Sequence, residues 1–316
     1  MILKSAFQDS EFHEVNSNRR EWFDASPFSR SKLYAGVHEL LDEMQIPEAT
    51  IDLLRRPDGS ARWGSYRLPL KVVTPEQIFV AKPYEMNPLK RVKMVARETE
   101  KALLRTVSKV IAPEVVYFGE RWYAEELIDI PSLDALTRSG NIAQALSIGA
   151  EMHATLALLE ISYTHNHWID EFYANEQRRA IIDFGVSQFF KKEGSHPAFD
   201  ESVYELCNSD SLDDFLTNQE AVKIPCFDSS RSRYAETVAQ LERLSDNPAE
   251  LVNVLYALRH AVIGIKRHFE ILGLKAVQKM VYQDSSRSEG TEWDATMIVF
   301  PDFVYAFVQQ YKSKTI

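Results

Sequence analysis

The sequence predicts an α+β fold in two parts, a small antiparallel sheet with one long helix and then a mainly helical part. Residues 50–130 carry strand and helix signals in the order β-β-β-α-β-β. Beyond residue 130 the apolar residues recur at helical spacing. The chain has 316 residues, 45% of them hydrophobic, which is enough for two parts that each bury a core.

These signals define three segments. Residues 1–49 are interpreted as a partly helical N-terminal extension, in which Ser29 or Ser31 caps a helix that packs on the sheet part. Residues 50–130 form the predicted sheet part, and residues 131–316 form the predicted helical part.

The sheet part begins with short runs of β-branched and aromatic residues over 50–83, separated by turn signals. Pro88 then opens an amphipathic helix of about 20 residues, whose apolar side chains form one stripe. The runs EVVYF and RWYAEELI come next as two strands joined by a turn at Gly119-Glu120.

The helical part begins with a short helix and then a long amphipathic helix that starts at Asn141. Residues 161–185 are predicted to form a compact loop and hairpin. The run VNVLYALRHAVIGIKRHFEIL is apolar nearly all round, which is typical of a central buried helix. The final run TMIVFPDFVYAFVQQY fits either a helix or a strand.

Composition narrows the functional classes. The formal net charge of −10 argues against bulk binding to nucleic acid or to an anionic membrane. Cys207 and Cys226 could close a disulfide or remain idle thiols, and no zinc pattern surrounds them. No apolar run has the length of a signal peptide or of a membrane span. We expect a cytoplasmic protein, although an effector exported through an unrecognised signal would share these features.

Two charged residues of the sheet part are candidates for nucleotide binding. Lys82 ends a strand in the run Val80-Ala81-Lys82, from which a lysine can reach phosphate groups. Glu98 lies on the long helix at the edge of its apolar stripe, where its carboxylate could pair with Lys82. Glu100 competes with Glu98 for that role.

The helical part contributes two more candidate segments. Two histidines and a carboxylate, His165, His167 and Asp170, stand within six residues after a helix and before the hairpin. Asp183 follows a buried strand and precedes Phe184 and Gly185. An aspartate so placed suits Mg²⁺, which prefers carboxylate oxygen.

The order and spacing of these four pieces over residues 50–190 resemble the protein-kinase-like superfamily, nearest to its aminoglycoside, choline and lipopolysaccharide kinase branch. The resemblance implies a two-lobed fold that binds ATP and Mg²⁺ between Lys82 and Asp183. In that scheme Lys82 holds the phosphates, Glu98 orients Lys82, and Asp170 and Asp183 bind the metal.

The catalytic loop departs from the branch's H-G-D-L-H-x-x-N pattern. Counting back from Asp183 aligns Asp170 with the asparagine of that pattern. It aligns His167 with the second histidine of the pattern and His165 with its catalytic aspartate. A neutral imidazole can accept a hydroxyl proton. An alternative alignment places His167 at the catalytic aspartate of the pattern. It then places Phe172 at the asparagine, and a phenylalanine cannot bind metal. The sequence has no G-x-G-x-x-G motif of the kind that covers nucleotide phosphates. The segment that contains Gly64 is the candidate for that loop.

The resemblance leaves two functional classes. The first is an ATP-dependent phosphotransferase with an unknown small-molecule or protein acceptor, in which His165 and His167 act near that acceptor. The second is a pseudokinase, a binding or scaffolding module without catalysis. An ATP-grasp ligase is a further alternative, because the run around Lys82 and the run Glu125-Glu126-Leu127-Ile128 also resemble that fold.

Overall fold

The computed structural model shows a mixed α+β protein, which confirms the predicted class at this level. It describes residues 2–14, 17, 30–55, 68–83, 98, 101–119, 122–163, 167–184, 187–189, 248–281 and 292–313. Some of the residues singled out above lie outside the described residues, as does most of the helix predicted from Pro88: Ser29, Gly64, Glu100, His165, Gly185, Cys207 and Cys226.

Contacts divide the chain into two compact units. The first, the sheet unit, comprises Met1–Glu98 and Pro113–Asp129. The second, the helical unit, comprises Thr99–Ala112 and Ile130–Ile316.

The sheet unit is built on a six-stranded sheet. Its strands are β1 (Ile2–Ser5), β2 (Glu48–Leu53), β3 (Leu70–Val73), β4 (Ile78–Pro83), β6 (Val115–Phe118) and β7 (Trp122–Glu126). They lie in the order β1-β2-β3-β4-β7-β6. All neighbours are antiparallel except β1 and β2, which run parallel.

The two faces of this sheet differ in chemistry, because successive side chains of a strand point to opposite faces. One face is apolar and buries the alternate residues of the central strands: Ala49, Ile51, Leu53, Leu70, Val72, Phe79, Ala81, Trp122 and Ala124. The other face carries Lys71 on β3, Lys82 on β4 and Glu125 on β7. The sheet thus separates a hydrophobic core from a charged face.

The described residues before position 48 pack on the sheet unit. Strand β1 adds an edge to the sheet, and helix α1 (Arg30–Glu43) packs on the apolar face through Val37 and Leu40. A Cβ on Gly36 would lie 2.1 Å from Nε1 of Trp122, so the helix approaches β7 closely. Strand β1 was not predicted, because a four-residue edge strand with mostly exposed side chains shows no alternation.

The helical unit contains the helices that we label α2 to α7. Their bounds are α2 (Leu133–Arg138), α3 (Ile142–Leu158), α4 (Trp168–Glu171), α5 (Pro248–Leu272), α6 (Leu274–Val281) and α7 (Glu292–Ser313). Helices α3, α5 and α7 pack against one another around an aromatic core. The central buried helix predicted over the run VNVLYALRHAVIGIKRHFEIL corresponds to α5.

The C-terminal run, for which the sequence allowed either a helix or a strand, forms helix α7. Phe300, Phe303 and Phe307 are fully buried at helical spacing, so burial on one side favours the helix. Pro301 lies inside it and removes one backbone hydrogen bond, a cost that this packing offsets. Within the described ranges, no helix is long and apolar enough to cross a membrane.

Short strands complete the helical unit. Strands β9 (Phe172–Ala174) and β10 (Arg179–Ile181) form an antiparallel hairpin, and β5 (Val110–Ile111) pairs parallel with β10. Strands β8 (Ile161–Tyr163) and β11 (Ser187–Phe189) pair separately. The hairpin turn is closed by Asn175, whose Oδ1 accepts from the amides of Gln177 and Arg178 at 2.9 and 2.8 Å.

Candidate functional site

Lys82 lies near the end of the central strand β4, on the charged face of the sheet. It pairs across the ladder with Tyr123, and Val80 pairs with Glu125, so these four side chains share one face. The Lys82 ammonium forms an ion pair with the Glu125 carboxylate. The side chains are 14% and 7% exposed, so both charges are largely removed from water.

Sequence reasoning did not identify Glu125 as a partner of Lys82. The pairing follows from the antiparallel register of β4 and β7, which brings together residues that are far apart in the chain. One signal was present, because Glu125 interrupts the otherwise apolar start of the strand Trp122-Tyr123-Ala124. A carboxylate in a buried strand usually has a charged or hydrogen-bonding partner.

Glu98, the predicted partner of Lys82, is helical and half-buried. Both residues take part in interactions beyond the Glu125 ion pair. The pairing of Glu98 with Lys82 therefore stays a prediction.

Asp183 follows strand β10 and has a backbone φ of +55°. The backbone of the preceding residue, Ile182, forms hydrogen bonds through both its amide and its carbonyl. The Ile182 amide donates to the Glu171 carbonyl at 3.0 Å, and the Tyr163 hydroxyl donates to the Ile182 carbonyl at 2.8 Å. The next residue, Phe184, is buried edge-on against Tyr163. The backbone around Asp183 is thus fixed, while its side chain is only half-buried.

The left-handed conformation of Asp183 is not required by a helix end. Among the described non-glycine residues, positive φ occurs at Gln45, Glu160 and Asp183. Gln45 and Glu160 follow the last turns of α1 and α3, where this conformation commonly closes a helix. Asp183 instead follows a strand. Strained backbone of this kind concentrates at functional sites.

Asp170 and Asp183 are brought together by the hairpin. The ladder pairs Phe172 with Ile181, and the hydrogen bond from Ile182 to Glu171 continues it by one step. Asp170 and Asp183 are the residues next to that bond, one on each side of the hairpin. The structure therefore brings these two predicted site residues to the same end of one hairpin, whereas their side-chain convergence stays a prediction.

The segment carrying His167 and Asp170 is anchored by Trp168, which is completely buried. Its indole Nε1–H donates to the Ala261 carbonyl in α5 at 3.0 Å. A Cβ on Gly149 in α3 would lie 2.3 Å from the benzene edge of the indole, and one on Gly264 in α5 would lie 2.1 Å from its pyrrole edge. Two glycines on different helices thus form the slot that holds Trp168. His167 precedes this anchor as the N-cap of α4, and its side chain is half-buried.

A buried polar network lies next to this segment. Both Asp134 carboxylate oxygens accept from Arg138 Nε, at 2.8 and 2.9 Å. The Thr137 hydroxyl donates to the Asp134 carbonyl, so it accepts from His268 Nε2 at 2.8 Å. Burial lowers the pKa of His268, and the charges of Asp170 and Asp134 oppose that shift. Asp170 is therefore within electrostatic reach of α5.

Asp170 and Asp183 are the residues of this segment that could contribute ligands to a metal ion. In the described part of the chain, no group of three or more His, Cys, Asp and Glu side chains is arranged to hold a metal. Mg²⁺ is usually bound by one or two carboxylates together with waters and substrate phosphates. The pair Asp170 and Asp183 fits that pattern.

Comparison with known proteins assigns no family. No protein-family model matches the chain, and no curated protein matches it at a significant level.

Proposed function

We propose that the chain is an ATP-dependent phosphotransferase with a protein-kinase-like two-lobed fold. The sheet unit corresponds to the small N-terminal lobe of that fold and the helical unit to its larger lobe. Three features support the proposal: the antiparallel strands that carry Lys82, the hairpin that ends in Asp170 and Asp183, and the sequence resemblance over residues 50–190.

Each candidate residue has a role in this scheme. Lys82 binds phosphate oxygens, and Glu98 orients its ammonium. Asp170 and Asp183 hold Mg²⁺, which when bound neutralises the charge of the nucleotide phosphates. His165 accepts the proton of the acceptor hydroxyl, with His167 beside it. Gly64 belongs to the segment that covers the phosphates.

The observation that carries the proposal is the position of Asp170 and Asp183 at the same end of the β9–β10 hairpin. The proposal takes their carboxylates to converge at this end of the hairpin, where two negative charges would repel unless a cation offset them. The left-handed backbone at Asp183 costs further free energy. Together these two costs favour a metal-binding role over a structural one.

The metal role is tested with Asp183→Asn, because asparagine tolerates positive φ and removes only the charge. We expect wild-type protein to bind ATP with Mg²⁺, measured by isothermal titration calorimetry, and to bind it much more weakly in EDTA. Asp183→Asn should weaken Mg²⁺-dependent binding by at least about 10–100-fold, the usual cost of losing even an outer-shell partner of a metal ligand. Asp170→Asn should act in the same direction.

The matched control is Glu176→Gln, which removes an exposed carboxylate from the turn of the same hairpin. It should leave ATP binding unchanged. ATP binding that ignores both EDTA and Asp183→Asn would contradict the metal site. That result would support the alternative function, a pseudokinase that binds nucleotide without metal.

The catalytic role of His165 separates the enzyme from the pseudokinase. If His165 acts on the acceptor proton, His165→Ala should slow ATP turnover by about 10²–10⁴-fold, the usual contribution of a general base. Nucleotide affinity should hardly change, since Lys82 and the metal hold the phosphates. Equal turnover in wild type, His165→Ala and His165→Asp would remove His165 from the mechanism. An inactive wild type with activity gained in His165→Asp would identify a pseudokinase.

A further inference from the structure

Glu125 is a buried carboxylate for which the proposed function has no role. It lies on β7, on the charged face of the sheet, in an ion pair with Lys82. Its neighbours on that face, Val80 and Tyr123, are also buried. The pair is therefore largely removed from water, in a setting where charges interact more strongly than at an exposed surface.

Fold stability is a weak explanation for a buried ion pair such as this one. Moving two charges out of water is costly, and apolar residues of similar size often serve the fold equally well or better. An ion pair elsewhere in the sheet unit, Lys4 with Glu48, is far more open, at 63% and 44% exposure. The buried pair is placed on the residue that the proposed function assigns to phosphate binding, which points to a role in ligand selection.

We propose that Glu125 is a specificity-determining residue of the Lys82 site, an internal counter-ion that competes with nucleotide phosphates for the Lys82 ammonium. The inference rests on the proposed function, because it takes Lys82 as the phosphate-binding group. Its consequence is that the site selects metal-complexed nucleotide over free nucleotide.

The selection follows from charge. A phosphate group that approaches Lys82 also approaches the Glu125 carboxylate, and the two anions repel. Mg²⁺ on the nucleotide offsets much of that repulsion. Without the Glu125 charge, the Lys82 ammonium loses its carboxylate partner in the free protein. Pairing with a phosphate then lowers the free energy of Lys82 by more than it does in wild type. Both effects predict tighter binding when the charge is removed.

The test is Glu125→Gln, titrated with ATP, ADP and adenosine by calorimetry, each with Mg²⁺ and with EDTA. In EDTA we expect ATP and ADP to bind roughly tenfold more tightly than to wild type, the effect of one like charge at nearby but non-contact distance. The gain should be smaller with Mg²⁺, and adenosine affinity should not change. Glu125→Met removes the same charge with a side chain of similar length and should give the same pattern.

Glu126→Gln is the matched control, because the neighbouring residue points to the opposite face of the sheet and should leave all three affinities unchanged. Unchanged or weaker ATP binding in both Glu125 variants would overturn the inference, as would an equal change for adenosine. Lys82→Met separates the two proposals. If it weakens ATP binding while the Glu125 variants change nothing, the proposed function stands and the inference fails. If wild type binds no ATP even with Mg²⁺, both fail.

Discussion

Trp168→Ala is expected to destabilise the helical unit by about 3–5 kcal/mol, the usual cost of truncating a buried tryptophan. The indole is completely buried, and its hydrogen bond to the Ala261 carbonyl is lost with it. Because Trp168 stands between His167 and Asp170, its loss should also loosen the segment that carries them. Urea unfolding followed by far-UV circular dichroism measures the change.

Substitutions at Gly149 and Gly264, the two glycines that contact the indole of Trp168, test this packing more specifically. In wild type, Gly264→Ala should destabilise by about 1–3 kcal/mol, since its Cβ would overlap the pyrrole edge of the indole. In the Trp168→Ala background that overlap disappears. The same substitution should then stabilise by up to about 1 kcal/mol, the difference in helix propensity between alanine and glycine.

The sign reversal is the diagnostic result of this double-mutant cycle. Gly149→Ala should behave in the same way, because its Cβ would overlap the opposite edge of the ring. If Gly264→Ala has the same effect in both backgrounds, the indole does not occupy the slot between α3 and α5.

Acid is expected to destabilise the protein through His153. This histidine lies in α3, completely buried against the rings of Trp168, Phe172 and Phe303. Its Nε2 has no hydrogen-bond partner among the described residues. Burial, and secondarily the charge of His260, lowers the pKa of His153 from 6.5 to about 3.

The direction of the pH effect follows from linkage. Below pH 6.5 the unfolded chain binds a proton at His153, whereas the folded protein does not do so until about pH 3. The unfolded state thus binds more protons, and the free energy of unfolding falls as pH falls through this window. The slope is about 1.4 kcal/mol per pH unit, or roughly 3 kcal/mol over two units.

His153→Leu should remove this contribution, because leucine has similar volume and takes up no proton. Urea unfolding at several pH values between about 7 and 4.5 should show the variant gaining on wild type as the pH falls. His13→Gln, at an exposed position, controls for the loss of a histidine as such. Parallel stability curves for wild type and His153→Leu would show that His153 takes up its proton in the folded protein as well.

Much of the sheet could be predicted, because the signals for its strands are local. The runs that became β4, β6 and β7 alternate or carry β-branched residues, and turn signals separate them. Strand β1 could not be predicted. It is short and mostly exposed, and it exists because β2 offers a free edge to pair with.

For the candidate site, the sequence offers Lys82 and Asp183 at the ends of recognisable strands, and the resemblance to the kinase branch singles out Asp170 by its spacing from Asp183. Their roles as site residues stay predictions. Glu125 and Trp168 could not be assigned in this way. The partner of Glu125 depends on strand register, and the slot of Trp168 depends on two glycines in helices that are distant in sequence.

By itself, the sequence determined the mixed α+β class, the positions of helices α3 and α5, and the residue types that could bind phosphate and metal. These depend on periodicity and on side-chain chemistry, both of which are local. Only the tertiary structure decided which charge neutralises Lys82, which residues hold the His167–Asp170 segment, and that Asp170 and Asp183 lie at one end of a hairpin. The physical reason is that burial and pairing are properties of neighbours in space, and chain order does not specify those neighbours.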